Sequence, residues 1–512
     1  MAEDHSTTPL LQPTDASTDE KAGPPPASLD DAIESFTGGT SKALLWLAFL
    51  ASLAWVFDAQ QTFINVFTDA QPTWHSTAGV GAAAATATQC SLPRDSWAWD
   101  HPKCASIISE WDLQCSPAAL VSLPGSAFFV GCLAGGLLLA TLADSRFGRK
   151  NMLFFSSLSM SLSAALTAVS PNLFVYSSMR FVLGFSRATV GTNALVLATE
   201  LVGRRWRVTV GIMGLLCFTL GFSSLPLMAY LLRNHSWRIL YLLTSMLAFI
   251  YSVIVFFVLK ESPRWLLVRG RRDEAMQILG IKTLECCSDV FEGEEEEEED
   301  GLFSSMRVLY EKKWVFVRLV VAMTVGFGIG MVYYGLPLAL GNLGTSNLYV
   351  SVGLNALSEV PSSLLILVLI ERLSRRKALL GFSVLSGVGC IMCSVFGRSW
   401  WRTVAEMVAF FGGCSGFGVL LVYSVELFPT KVRNSAVMMV REAVVLGGVV
   451  APVMIAAGRE EEGVVSFRMF GLVIMFSGLF VVWLPETRGR RIFDTLEEEE
   501  MMGKNDSMCR AC

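Results

Sequence analysis

The residues with chemistry to do are the charged ones set inside apolar runs. Asp58, Arg180, Arg187, Arg318, Glu359, Glu406, Arg441 and Glu442 all lie in stretches long enough to cross a bilayer. A charge in that setting costs roughly 2.5–3.5 kcal/mol by insertion scales, so it must face a protein interior or a water-filled path. Asp58, Glu359 and Glu406 are carboxylates that can hold a cation or carry a proton. Glu359 stands two residues before Pro361, where a helix loses a backbone hydrogen bond. A quaternary ammonium keeps its charge and donates no hydrogen bond, so it needs a carboxylate and aromatic faces. Tyr333, Tyr334, Phe57 and Phe63 are placed to supply such faces. Arg187 suits a substrate carboxylate through the two-bond fork of its guanidinium, or else it neutralises Asp58. Arg441 and Glu442, at the expected start of the eleventh helix, pair with each other or with the cytosolic gate.

These charges are positioned by a chain built for lipid. Hydrophobic residues make up 53% of it and charged ones 17%, with a mean hydropathy of +0.51; a soluble domain carries about 25% charge. Spans are expected at about 43–67, 118–143, 151–170, 173–199, 208–232, 237–259, 315–340, 348–370, 378–396, 403–427, 435–457 and 466–484. Around them lie a polar, Pro-rich tail (1–42), a long loop (69–117), a cytosolic linker (260–314) containing the acidic run Glu294–Asp300, and a second tail (485–512). The first forty residues lack the apolar core of a signal peptide, so insertion is expected to rely on the first span. Segments assigned to the cytosol after the first helix hold 26 Lys and Arg against 8 on the other face, Arg238 and Arg468 just inside their spans included, which puts both termini in the cytosol.

The turn Asp144-Ser-Arg-Phe-Gly-Arg-Lys150 has an echo in Glu371-Arg-Leu-Ser-Arg-Arg-Lys377. Glu200-Leu-Val-Gly-Arg-Arg-Trp-Arg207 is answered by Glu426-Leu-Phe-Pro-Thr-Lys-Val-Arg433, and Glu261-Ser-Pro-Arg264 by Glu486-Thr-Arg488. The offsets are 227, 226 and 225 residues, so the chain is an internal duplication whose halves (43–259 and 315–484) run in parallel.

This arrangement resembles the two six-helix halves of the major facilitator superfamily, and Asp144, Arg146, Gly148, Arg149 and Lys150 match its signature loop. The resemblance implies an all-α membrane protein of twelve helices that works by alternating access. It also implies a gating role for these residues and for Glu200, Arg207, Glu261, Arg264, Glu371, Arg375, Arg376, Glu426, Arg433, Glu486 and Arg488: acids at helix ends pair with arginines across a hairpin, lock the cytosolic side, and release it when the halves rock.

Glu110-Trp-Asp-Leu-Gln-Cys115, Glu261-Ser-Pro-Arg-Trp-Leu266, Tyr333-Tyr-Gly-Leu336, Glu359-Val-Pro361, Glu426 to Asn434 and Pro485-Glu-Thr-Arg-Gly489 resemble the organic cation/carnitine transporter family. Val445-Leu-Gly-Gly-Val-Val-Ala-Pro452 is similar to its plant branch. The substrate implied is a small organic cation or zwitterion, with H+ or Na+ as a coupling partner and the bilayer as surroundings. Animal members carry a charge just before Leu-Gly-Gly, where this chain has Val445. One disulfide among Cys90, Cys104 and Cys115 is implied for the long loop, and Asn234-His-Ser236 is a glycosylation sequon. Pro9-Leu10-Leu11 leans the expected location to the vacuolar membrane, with the plasma membrane as alternative.

The twelve cysteines show no zinc-like spacing, no Gly-x-x-x-x-Gly-Lys-Ser/Thr loop is present, and no basic face suggests nucleic acid. No metal, cofactor or enzymatic chemistry is therefore expected. Two rivals remain. One is a sugar porter, although Val325-Gly-Phe-Gly-Ile-Gly-Met331 lacks that family's paired glutamines. The other is a non-transporting membrane sensor signalling through the acidic linker.

Overall fold

The structure is a computed structural model that describes residues 42–77, 89–142, 147–279, 312–342, 347–369, 372–396, 400–459 and 464–489. Among these, twelve helical spans are long and apolar enough to cross a membrane. We number them α1 (Lys42–Thr68), α2 (Ala118–Leu142), α3 (Arg149–Ala168), α4 (Leu173–Glu200), α5 (Arg207–Leu231), α6 (Trp237–Val258), α7 (Lys313–Ala339), α8 (Leu348–Leu369), α9 (Arg375–Val395), α10 (Trp400–Leu427), α11 (Thr430–Ala457) and α12 (Val464–Leu479). The lipid-facing sides are broad and apolar, as at Leu138, Phe174, Leu220, Phe257, Val368 and Phe476. Tryptophans stand exposed at span ends, Trp46 and Trp483 at one end of the bundle and Trp400 and Trp401 at the other, where amphipathic rings settle at the headgroups.

The duplication is visible in the packing. α1 pairs with α5, α2 with α4 and α3 with α6; α7 pairs with α11, α8 with α10 and α9 with α12. A Cβ on Gly131 would strike the backbone of Phe181, and one on Gly184 that of Phe128. Only glycine lets α2 and α4 approach so closely, and close backbone contact drives helix association in lipid, where the hydrophobic effect does not. The halves join along α2 with α11 and α5 with α8.

One boundary differs from the sequence reading in a way that matters. The eleventh helix begins at Thr430, directly after Pro429. Proline has the φ of a helix entry and no N–H to satisfy there, so the helix starts five residues earlier than expected. Arg441 and Glu442 therefore lie about three turns into the span and not at its start.

The described parts of the long loop, 69–77 and 89–117, pack into a cap. β1 (Trp74–Ser76) pairs antiparallel with β2 (Trp97–Trp99), with Trp74 opposite Trp99. A disulfide joins Cys90 to Cys115, and Cys104 is a free thiol. Each charged or aromatic residue of Glu110-Trp-Asp112 anchors something. Glu110 accepts from Arg238 Nη2 at 2.7 Å and Trp237 Nε1 at 2.5 Å. Trp111 packs edge-on against Tyr176 and Trp237. Asp112 sits in the left-handed region (φ 55°) and accepts from Arg94 at 2.6 Å and Lys103 at 3.0 Å. Partial burial alone would raise its carboxyl, but Lys103 and Arg94 outweigh that and hold it below the usual aspartate value.

Candidate functional site

The centre of the molecule holds three buried carboxylates in two kinds of surroundings. In the N-terminal half, α4 sets Arg180 and Arg187 on the side facing α1. Arg187 grips Asp58 through both ends of its fork, Nε to Oδ1 at 2.8 Å and Nη2 to Oδ2 at 2.9 Å. Asp58 is 2% exposed and the Arg187 side chain 12%. The sequence left Arg187 a choice between a substrate carboxylate and Asp58, and the structure places it on Asp58. Arg180, fully buried, donates to the Gln61 carbonyl at 3.3 Å and lies 4.2 Å over the Phe128 ring.

In the C-terminal half, Glu359 of α8 accepts from the Tyr333 hydroxyl at 2.8 Å and from Thr219 Oγ1 of α5 at 3.4 Å. Among the described residues no basic side chain touches it. Aromatic rings cluster around the Tyr333 ring that holds this carboxylate. Phe410 and Phe417 of α10 stack on Tyr333 at 6.0 and 5.1 Å, Phe63 meets it edge-on at 6.4 Å, and Phe222 stacks on Phe63 at 4.1 Å. Tyr334 turns the other way, 4.7 Å from Phe129 and within electrostatic range of Arg187. Phe57, expected to help line a cation site, packs instead on Tyr251 of α6 at 4.9 Å. The box owes three rings to residues that sequence reading passed over: Phe222, Phe410 and Phe417 are ordinary apolar residues in apolar spans, and no local signal marks them.

Glu406 of α10 is completely buried and accepts from Asn355 Nδ2 at 2.6 Å. Arg441 is exposed and donates to Thr192 Oγ1 of the other half at 3.1 Å. The Glu442 carboxylate lies against Gly136 of α2, where any side chain would collide with it. On the outer side the halves are tied by Arg459 Nη2 to Gln71 Oε1 at 2.8 Å, and by Tyr349 packed on Phe67 and Tyr230.

Several of the expected gating residues form two matching rivets at the end of the bundle where α6 and α12 finish. Glu261, following α6, accepts from the backbone N–H of Arg149 at 2.8 Å and of Lys150 at 2.9 Å, so it caps α3. Gly148 beside it is at φ +80°, and a Cβ there would strike the Glu261 carboxylate. Glu486, following α12, accepts from Arg375 N at 2.9 Å, Arg376 N at 3.3 Å and the Ser374 hydroxyl, and so caps α9. Acids at helix N-termini satisfy orphan N–H groups and meet the positive dipole end. Arg375 also grips Glu426 at 2.9 Å, and Thr487 donates to Glu426 at 2.6 Å.

The bonds of each rivet run within one half, from an acid after its last helix to the start of its third. Glu200 ends α4, Arg207 begins α5, and Arg264 lies in the short helix Pro263–Val268. Arg433 donates to the Phe428 carbonyl at 3.3 Å, and the Arg488 N–H to Glu486 at 3.2 Å. Asp144, Arg146 and Glu371 lie outside the described residues, as do the acidic linker and most of both tails. Asn234 is exposed in the turn between α5 and α6.

Twelve spans in two parallel repeats, joined through α2–α11 and α5–α8 around buried polar residues, define a transporter of the major facilitator fold. The family described as sugar (and other) transporter matches residues 61–498. Organic cation/carnitine transporter 2 of Arabidopsis thaliana is 49% identical, over 96% of this chain and 97% of its own. Transporter 3 of the same name and plant is also 49% identical, over 97% of each. Solute carrier family 22 member 3 of mouse is 30% identical over 78% of this chain and 73% of its own. Among solved structures, a partially occluded inward-open form of the xylose transporter XylE from E. coli superposes with a TM-score of 0.63. It is 14% identical and covers 88% of this chain and 99% of its own, which speaks to the fold. The chain belongs to the organic cation/carnitine transporter family within the sugar (and other) transporter family.

Proposed function

We propose that the protein carries small organic cations, carnitine among them, across a membrane by rocking its two halves about the central site. The observation that carries this reading is Glu359: a buried carboxylate whose donors among the described residues are neutral, Tyr333 and Thr219, with Tyr333 itself set in a cluster of aromatic rings. A carboxylate desolvated in this way lacks a counter-charge, and a cation beside aromatic faces supplies one. The names of the plant relatives point the same way. For a zwitterion the carboxylate partner is Arg441, exposed toward the interface between halves, because Arg187 is committed to Asp58. The two cytosolic rivets keep each half rigid, so motion concentrates between halves and the outer Arg459–Gln71 and Tyr349 contacts part when the outer side opens.

The driving force is the membrane potential or an ion gradient, with H+ favoured over Na+ by the buried acids. The chain acts as a carrier and not as an enzyme. The Pro9-Leu10-Leu11 stretch supports the vacuolar membrane, and the basic-residue asymmetry supports cytosolic termini. The deciding experiment is uptake of labelled tetraethylammonium and carnitine into proteoliposomes, with and without an imposed gradient. Saturable flux of either supports the reading. Flux of glucose alone turns it toward a sugar porter, and binding without flux toward a sensor.

A further inference from the structure

We propose that Glu406 and Asn355 form a proton-binding site in the C-terminal half, separate from the aromatic box, and that the proton held there is the coupling ion. Both residues are completely buried. Asn355 Nδ2 donates to one carboxyl oxygen of Glu406 at 2.6 Å. The other oxygen, Oε2, and the amide oxygen of Asn355 are buried without any partner. An unsatisfied buried acceptor costs about 1–3 kcal/mol, and this pair has two side by side. One proton on Oε2 removes both deficits: the O–H donates to Asn355 Oδ1 while Nδ2 continues to donate to Oε1, closing a ring of two complementary hydrogen bonds.

The surroundings favour a proton over a metal cation. Cys390 and Cys393 of α9 and Cys414 of α10 are the titratable groups within electrostatic range of the Glu406 carboxyl. Arg402, one turn earlier on α10, lies near Cys393, and no basic group forms an ion pair with Glu406 among the described residues. Hard cations need a shell of several oxygens, whereas this pocket offers two oxygens among thiols. Asn355 and Glu359 are four residues apart on α8, hence on one face. A Glu406 that has lost its proton leaves a bare charge held by one amide, which pulls on α8 and so on Glu359. The site itself follows from the geometry; its role in coupling rests on the transport reading above.

The test uses Glu406→Gln in the full-length protein in proteoliposomes. Glutamine keeps both hydrogen bonds to Asn355 and mimics the protonated acid, so the fold is retained. The infrared difference between wild type and variant at neutral pH is expected to show a protonated carboxylic-acid band present only in wild type. Exchange of labelled tetraethylammonium is expected to persist in the variant, while accumulation driven by a pH gradient falls to the level without a gradient. A difference spectrum that shows ionised carboxylate, a variant that still accumulates with the pH gradient, or a variant that loses exchange as well overturns the proposal. If wild type moves no organic cation, the transport reading fails and the infrared band alone decides the proton site.

Discussion

The two halves descend from one repeat yet treat their buried acids differently. In the N-terminal half Asp58 is matched by Arg187 in a two-bond pair. In the C-terminal half the hydrogen-bond donors to Glu359 and Glu406 among the described residues are a tyrosine, a threonine and an asparagine. A closed pair stiffens its surroundings and has little left to offer a ligand, whereas an acid with neutral donors keeps its demand for a positive charge. On the transport reading proposed above, the N-terminal half is the firmer scaffold and the C-terminal half the side where cation and proton would be exchanged. The ends where α6 and α12 finish show the opposite: there the repeats solved one problem in one way, with Glu261 capping α3 and Glu486 capping α9.

Breaking the comparison at its strongest point means Arg187→Leu. It strands the Asp58 charge, and the loss of stability should be about 3–5 kcal/mol, read as folded yield and thermal midpoint in detergent. Adding Asp58→Asn should restore most of it. Failure of that rescue would show that Arg187 does more than neutralise Asp58. Glu359→Gln should leave the thermal midpoint near wild type yet cut cation uptake by about tenfold or more, since a charged partner contributes about 1.5–3 kcal/mol. Wild-type uptake by this variant would remove Glu359 from the site. Tyr333→Phe keeps the ring and removes one donor to Glu359. The net loss of about 1 kcal/mol should appear as a severalfold rise in KM with the protein still folded.

The smallest effect is expected at the rivets. Glu261→Gln and Glu486→Gln should each cost about 0.5–2 kcal/mol as lost caps, by similar amounts if the repeats are equivalent. Partial burial alone would raise the Glu486 carboxyl, but hydrogen bonds from Ser374 and the N–H groups of Arg488, Arg375 and Arg376 hold it below the ordinary value. Its contribution is therefore complete above the unfolded value of about 4.3 and is lost as the pH falls through the lower folded one. Thermal midpoints of wild type and Glu486→Gln should converge in that acidic window.

Much was legible in the one-dimensional chain because it depends on composition and local order. The twelve spans follow from apolar length, the fold from three paired motifs at a near-constant offset, and the burial of Asp58, Glu359 and Glu406 inside the protein from the cost of placing an acid in lipid. Partnership was another matter. Asp58 and Arg187 are 129 residues apart, and Thr219 meets Glu359 across the interface between halves. Phe222, Phe410 and Phe417 look like any other apolar residue until the helices pack. The acids after α6 and α12 could be seen, but only the packing of α3 beside the end of α6, and of α9 beside the end of α12, made them caps within a half. Charge and apolar length are properties of single residues and runs, so sequence alone determined where the costly groups lie. Which donor answers each acid depends on side chains from distant helices meeting at hydrogen-bond range, and that was decided only by the tertiary structure.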